Sequence, residues 1–524
     1  MRTARLFSIL TLCTIVSACS RATSSTRTEA PIANGPGASR DAAPAIGAIT
    51  EADLTRDLYV LAGDAMRGRE GGTLDELRAA VWLADRAHEA GLEPAGEDGT
   101  FFQWLSMRRY RQSDDSRIII GSSSLKLFAD AAVLAPIDAT IDAALVFVEP
   151  GATVDPSVVR GKAVATVLTA AAPTARGAAM PGARSRPFNG TTAVRTAATK
   201  FLEMGAVAVI VASDSLADAN FDRGGDAMLR GRYGVDTAGA TSYWPDPKSG
   251  SRRPQPPTPP IIWTRRATLD LLRIPGQRVT MQLTTESFQY PSVNLVGRVR
   301  GTDARLRDEN VLFITHLDHD GVRTAIDGDS IWNGADDNAS GSVAILAVAR
   351  AFVKQPGRRS ALFVWHGSEE RGLIGSRYFV MHPTVPKSSI VAVLNAEMVG
   401  RNNPDTMTIL GSLPPHRNSK VLVDMAKRAN DLVTQFKLDT TWDMTSHPQG
   451  WYFRSDHLPY ARAGYPAIDF SSNLHADYHT PKDDPTRIDY KKLTRVAKWM
   501  YATGWAVANA DQRPPIDVGF KLER

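Results

Sequence analysis

The residues of this chain best suited to chemistry are histidines and carboxylates that stand just past short apolar runs. His316-Leu317-Asp318-His319 follows Val311-Leu312-Phe313-Ile314, and Glu369-Glu370 follows Ala361-Leu362-Phe363-Val364-Trp365. Glu397 closes Val391-Ala392-Val393-Leu394-Asn395-Ala396. Asp337 lies within Asn333-Gly334-Ala335-Asp336-Asp337-Asn338-Ala339-Ser340-Gly341, and His479 comes late, in Asp477-Tyr478-His479-Thr480. Singly these are weak signals, because a lone histidine is usually packed or on the surface and a Glu-Glu pair usually marks a solvated helix face. Here the pair sits between an apolar run and Gly372, which argues against a solvated face. Gathered in one place, two imidazoles and four carboxylates need a metal to hold them together, and a cluster of that size suits two ions.

The apolar pattern supplies the elements that would gather them. Continuous apolar runs read as strands buried on both faces, which is the parallel-sheet pattern. In open α/β sheets ligands bind beyond the carboxyl ends of the strands. Residues 291–510 alternate strand and helix, as a doubly wound, mainly parallel α/β sheet does, within a second part of the domain that spans 286–524. Residues 49–124 form a first part of the same domain, in which Ala79, Ala80, Trp82, Leu83 and Ala87 mark a helix face that ends near Gly91. Strand-like pieces follow at 117–121 and 125–128. Residues 125–285 read as a separate β/α module with strands at 144–148 and 206–211 and a helix over 192–204. The polar, Gly- and Pro-rich stretch 217–260 predicts long loops.

Carboxylate and imidazole donors without thiolate suit a catalytic zinc, which keeps a position open for water. Two such ions about 3.5–4 Å apart polarise a carbonyl and supply a hydroxide nucleophile. Glu369 points away from its neighbour Glu370 on an extended chain, which leaves it free to take a proton from water as general base. Asp318, two residues past His316, faces the same side if the strand continues and would orient that imidazole. Trp442, Trp451, Tyr452 and Phe453 either line a substrate pocket or pack in the core.

The order and spacing of these residues resemble the co-catalytic dizinc aminopeptidases, the secreted bacterial leucyl-aminopeptidase type that also includes glutamate carboxypeptidases. The likeness covers roughly residues 51–120 and 290–510. It takes in Gly68-Arg69-Glu70-Gly71-Gly72-Thr73 and Ser455-Asp456-His457. It implies a zinc exopeptidase fold and two Zn2+ per chain, with His316 and Glu397 on one ion, Glu370 and His479 on the other, and Asp337 as the bridge. It also implies a cis peptide after the bridging residue, at Asp337-Asn338, and an oxyanion-stabilising role for Tyr478. With the five ligand places filled, His319, His366, His457 and His475 are left as supporting or structural residues. One departure is Glu397, where many members carry aspartate; the longer side chain would alter metal spacing or affinity. Within 125–285, Arg160-Gly161-Lys162 and Gly205-Ala206-Val207-Ala208-Val209-Ile210 resemble a protease-associated domain. The activity implied is release of N-terminal residues from peptides. A carboxypeptidase on the same fold, a glutaminyl cyclase with a single zinc and a receptor-like relative lacking ligands are the rivals.

Composition adds context. The chain is 43% hydrophobic and 22% charged, ordinary for a globular protein. Its net charge of +5 includes Arg2 and Arg5 of a leader, and no basic stripe interleaved with aromatics suggests nucleic acid. The apolar stretch 6–16 is shorter than the ~20 residues that span a bilayer and reads as part of a signal peptide over residues 1–18. Val16-Ser17-Ala18-Cys19 resembles a bacterial lipobox, which implies a lipid on Cys19 and a cell-envelope location; Ser20 resembles outer-membrane sorting. Residues 19–48, rich in small and polar types, read as a tether. With Cys13 and Cys19 the only cysteines, the mature chain would carry no disulfide or thiolate site. Nothing in the sequence sets the oligomeric state.

Overall fold

The computed structural model describes residues 43–169, 190–235 and 259–522. The signal segment, Cys19 and most of the tether lie outside the described residues.

The predicted buried strands form. Asn310–His316 is the centre of a ten-stranded sheet, flanked by Ser360–His366 on one side and Ile390–Glu397 then Ala467–Ser471 on the other, all four parallel. Antiparallel strands extend both edges: Thr285–Val299, Phe102–Gln112 and Arg232–Val235 beyond Ser360–His366, and Thr406–Leu410 beyond Ala467–Ser471. Alternation explains why the central strands read as unbroken apolar runs. Val311 and Phe313 face one helix layer, while Leu312 and Ile314 face the other. The first layer contains Glu51–Leu61, Leu74–Glu89, Gly341–Lys354, Lys420–Val433 and Tyr490–Asn509. The second holds Ile374–Met381 and His457–Arg462.

Packing of these layers fixes the strand that carries His316. Phe313 stacks on Phe363 with ring centroids 5.0 Å apart. Helix Tyr490–Asn509 comes so close that a Cβ on Gly504 would lie 2.1 Å from the Phe313 ring. Emptying such a buried aromatic costs about 3–5 kcal/mol, so the strand end has little freedom to move.

A second, eight-stranded sheet runs Ser123–Leu125, Arg117–Ile120, Arg278–Leu283, Ala139–Phe147, Ala163–Val167, Ala208–Ala212, Ile261–Thr264, Ala131–Val133 and has its own apolar clusters on both faces. The helix expected over 192–204 is Gly190–Glu203. Three readings need correction. The second sheet starts at Arg117, upstream of position 125, because Arg117–Ile120 pairs with Arg278–Leu283. The strand expected at 125–128 is Ser123–Leu125 instead, since the chain turns at Lys126, whose carbonyl accepts from Asp130, and Phe128 has φ +63°. Residues 217–235 are not loops. They contribute helix Phe221–Arg230, with Phe221, Gly225 and Met228 as its buried stripe, and strand Arg232–Val235, which joins the first sheet.

Candidate metal centre

His316 and Glu397 are the last residues of their strands, and the Glu369–Arg371 turn follows the third. Asp337 lies in the turn Ala335–Ser340, ahead of helix Gly341–Lys354, and its peptide bond to Asn338 is cis. Gly334 enters that turn at φ +60°, where a Cβ would strike the His319 ring at 2.3 Å; only glycine fits. All five sequence-derived ligands therefore meet at one sheet edge, together with Glu369.

Asp337 is shared by two groups of donors. Its Oδ1 lies 3.3 Å from His316 Nε2, which is 3.5 Å from Glu397 Oε2. Its Oδ2 lies 3.0 Å from His479 Nε2, which is 3.2 Å from Glu370 Oε1. Two donors about 2.0–2.1 Å from one tetrahedral zinc stand roughly 3.3 Å apart, close to these separations. His479 Nε2 is buried yet makes no hydrogen bond to either neighbouring carboxylate, as expected of a nitrogen whose lone pair is aimed at a cation between them. The residues fit two metal positions bridged by one carboxylate.

Without a cation the carboxylates divide. Burial holds the Glu369 carboxyl well above its ordinary range, and the charges of Glu370, Asp456 and Glu397 add to this while His316 opposes it. Burial also opposes ionisation of Glu370, but the His479 and His319 rings outweigh it and hold that carboxyl well below its ordinary range. Burial and the neighbouring charges thus push these adjacent carboxyls in opposite directions.

Several side chains hold the turns. The buried Arg69 guanidinium donates to the carbonyls of Leu61, Leu317, Asn333 and Gly334 at 2.7–2.9 Å, which ties the segment after His316 to the segment before Asp337. Ser455 Oγ donates to Glu397 Oε2 at 2.6 Å, and Asn338 Nδ2 donates to the same oxygen at 3.2 Å, so the longer glutamate arm is fixed. Asp483, fully buried, accepts the amides of Asp336 and Asp337 at 3.0–3.1 Å. Asp483→Asn weakens this grip. Supporting partners of this kind are worth about 10–100-fold in metal affinity, so chelator competition should show zinc affinity at least about tenfold weaker. Unchanged affinity would remove Asp483 from the support of Asp337.

Other expectations meet mixed outcomes. His319, expected to support the site or the structure, lies against one of the ligand carboxylates. Its Nδ1 lies 3.1 Å from Glu370 Oε1 and 3.8 Å from Asp337 Oδ2, within the His479 group. The strand ends at His316, and the chain bridges to Glu70 at His319, so strand alternation no longer sets where this ring points. Asp318 faces the site, but its carboxylate does not chiefly orient His316. Its backbone carbonyl is 3.1 Å from His316 Nδ1, while its carboxylate accepts the amides of Glu369 and Glu370 at 2.9 and 3.3 Å. Tyr478 stacks on His479 at 3.8 Å and its hydroxyl accepts from Arg454. Trp451 and Tyr452 are buried, with Tyr452 stacked on His416 at 4.2 Å; core packing accounts for them. His366 bonds Asn294 and Tyr460, and burial lowers its pKa to about 3. His457 packs against Tyr452, and His475 lies 3.4 Å from Asp336.

The fold is that of aminopeptidases of known structure. It resembles the aminopeptidase from Aneurinibacillus sp. strain AM-1 (TM-score 0.54, 17% identity, 91% of this chain and 99% of that one). It also resembles BSAP, a zinc aminopeptidase from Bacillus subtilis (TM-score 0.53, 16% identity, 90% of this chain and 99% of that one). Residues 294–504 match peptidase family M28. A probable leucine aminopeptidase from Arthroderma otae is 28% identical over 189 residues, 34% of this chain and 49% of that protein. The chain spans about half the length of the curated relatives it matches.

Proposed function

We propose that this chain is a zinc-dependent metallo-exopeptidase, specifically an aminopeptidase that releases N-terminal residues from peptides. The observation that carries the reading is Asp337, whose two oxygens face two separate histidine–carboxylate groups. The match of residues 294–504 to peptidase family M28 and the likeness in fold to a zinc aminopeptidase support it.

His316, Asp337 and Glu397 would hold one zinc, and Asp337, Glu370 and His479 the other, with His319 beside the second. When bound, zinc supplies Lewis acidity toward the scissile carbonyl and makes water a nucleophile at neutral pH. Glu369, whose Oε2 lies 4.0 Å from His316 Nε2, takes the proton of the attacking water and delivers it to the leaving amine. Asp318 holds the Glu369–Glu370 turn through its two amides, and the Tyr478 hydroxyl, positioned by Arg454, is the candidate donor to the oxyanion. Glu369 or Glu397 also accepts from the substrate's α-ammonium, which orients the N-terminus toward the site.

On peptides of six or more residues, N-terminal acetylation should abolish cleavage by zinc-loaded protein, while C-terminal amidation should leave it intact. Mass spectrometry of the products reads both. The opposite pattern would replace the aminopeptidase with a carboxypeptidase. Two zinc per chain by atomic absorption fits the peptidase; one would favour the cyclase and none the receptor.

The second sheet is the proposed protease-associated module, on the strength of its Arg160-Gly161-Lys162 and Gly205–Ile210 segments. Lipidation at Cys19 in the cell envelope, on the outer membrane and facing the periplasm, is proposed from the lipobox-like segment alone. Metabolic labelling with a fatty-acid analogue should mark wild type and not Cys19→Ser; an unlabelled wild type would end that proposal.

A further inference from the structure

His316 ends a strand and its side chain is 1% exposed, whereas His479 stands in a turn with φ +50° and its side chain is 24% exposed. Tyr478 and His319 pack against the His479 ring, at centroid distances of 3.8 and 5.3 Å. Such packing sets the plane of the ring, but it does not choose between the two flips that exchange its nitrogens and carbons. The choice falls to Nδ1, which lies 3.0 Å from Oδ2 of the buried Asp320. We propose that Asp320 is the positioning residue of His479, and that helix Phe221–Arg230 takes part in zinc binding by holding Asp320; the proposal rests on the metallopeptidase reading above.

A carboxylate beside Nδ1 keeps the proton on that nitrogen. The Nε2 lone pair is then left for a cation, and its basicity rises. Nε2 is the atom 3.0 Å from Asp337 Oδ2 and 3.2 Å from Glu370 Oε1. His316 Nδ1 instead meets the Asp318 carbonyl at 3.1 Å, so loss of Asp320 touches only the metal position that His479 holds.

Asp320 is itself held from the far side. Its Oδ1 accepts from Arg323 and faces Arg371 Nη1 at 3.6 Å, which leaves Oδ2 to His479. Both arginines lead to helix Phe221–Arg230. Arg371 donates to Glu70 at 3.1 Å, and Glu70 pairs with Arg230. Arg323 lies 3.8 Å from Asp226, which pairs with Arg230 at 3.2 Å. These six side chains form a ring of three guanidiniums and three carboxylates, none more than 24% exposed. Linked and shielded pairs of this kind hold geometry better than isolated surface pairs. Arg230 also donates to the Val322 carbonyl at 2.8 Å, two residues past Asp320. At its other end the helix is anchored in the second sheet, where Phe221 packs edge-on against Trp263 at 5.1 Å. The helix thus joins the second sheet to the residue that orients His479.

The test titrates metal-free full chain with zinc against a fluorescent chelator. Wild type should show two binding steps. In Asp320→Ala one step should weaken by about 10–100-fold, the worth of such a partner, while the other stays. Asp320→Asn keeps an acceptor oxygen for Nδ1–H and should recover part of the loss. Arg230→Gln should weaken the same step by at least about twofold. Added to Asp320→Ala it should cost nothing further, because both act through one carboxylate. A merely structural role gives another pattern: the Tm of the metal-free variants falls in step with affinity, and Asn recovers nothing. That pattern overturns the proposal, as do unchanged zinc steps in Asp320→Ala; an unchanged Arg230→Gln overturns the helix's part. If Asp320→Ala does not fold, a weakened step in Asp320→Asn supports the proposal and an unchanged one overturns it. A wild type that binds two zinc but cleaves no peptide ends the peptidase reading alone, and one that binds no zinc ends both.

Discussion

Glu369→Gln should bind its full complement of zinc and lose nearly all turnover, with kcat lower by about 10²–10⁴-fold, the range for removing a positioned general base. The amide keeps the size and burial of the side chain but cannot accept the proton of water. The close approaches of Asp337 to His316 and His479, of Glu397 to His316 and of Glu370 to His479 do not run through the Glu369 carboxylate; its amide, held by Asp318 at 2.9 Å, is unchanged by the substitution. Metal content should therefore stay at the wild-type value while kcat collapses. That split separates a proton carrier from a ligand. Should the variant lose zinc as well, Glu369 would belong among the ligands; should it turn over normally, the base lies elsewhere.

Asp337→Ala acts on the other side of the same division. Removing the carboxylate shared by the two donor groups takes a ligand from both at once, so bound zinc and activity should fall together. Thermal unfolding gives an independent readout. A ligand present at 100 times its Kd stabilises the native state by about 2.7 kcal/mol, so zinc should raise the wild-type Tm by a clear margin. In Asp337→Ala most of that rise should vanish. A variant with undiminished zinc stoichiometry and an unchanged zinc-dependent Tm rise would show that Asp337 does not bridge.

Much of the site could be read from the sequence because its ligands are tied to strand ends. An unbroken apolar run such as Val311–Ile314 or Val391–Ala396 has one stable solution, burial on both faces of a central strand. A polar residue at its carboxyl end then falls at the sheet edge whatever else the fold does. His316, Glu397 and the Glu369–Glu370 pair follow from that rule, and family spacing added Asp337 and His479. The glycines of the Asp337 turn were also legible as turn signals, since Gly334 takes a left-handed conformation beside the His319 ring.

What only the tertiary structure decided lies where periodicity stops. His319 joins the His479 group because the chain leaves the strand at His316 and bridges to Glu70, and no repeat of two or 3.6 residues carries a side-chain direction through such a bend. Arg69 and Asp483 support the site from 247 and 146 positions away from His316 and Asp337 in the chain (316 − 69 and 483 − 337), by hydrogen bonds to backbone that leave no local pattern. The 217–235 segment misled for a related reason. Its glycine and charge content reads as loop, since Gly224 and Gly225 lower helix propensity. Tertiary contact overrides that propensity: Phe221, Gly225 and Met228 are buried, and a Cβ on Gly224 would lie 2.2 Å from the Trp263 ring. Local sequence determined which residues end up at the sheet edge. The pairing of Arg232–Val235 with Phe102–Gln112, set by contacts far apart in the chain, decided that the 221–235 segment joins the sheet that carries them.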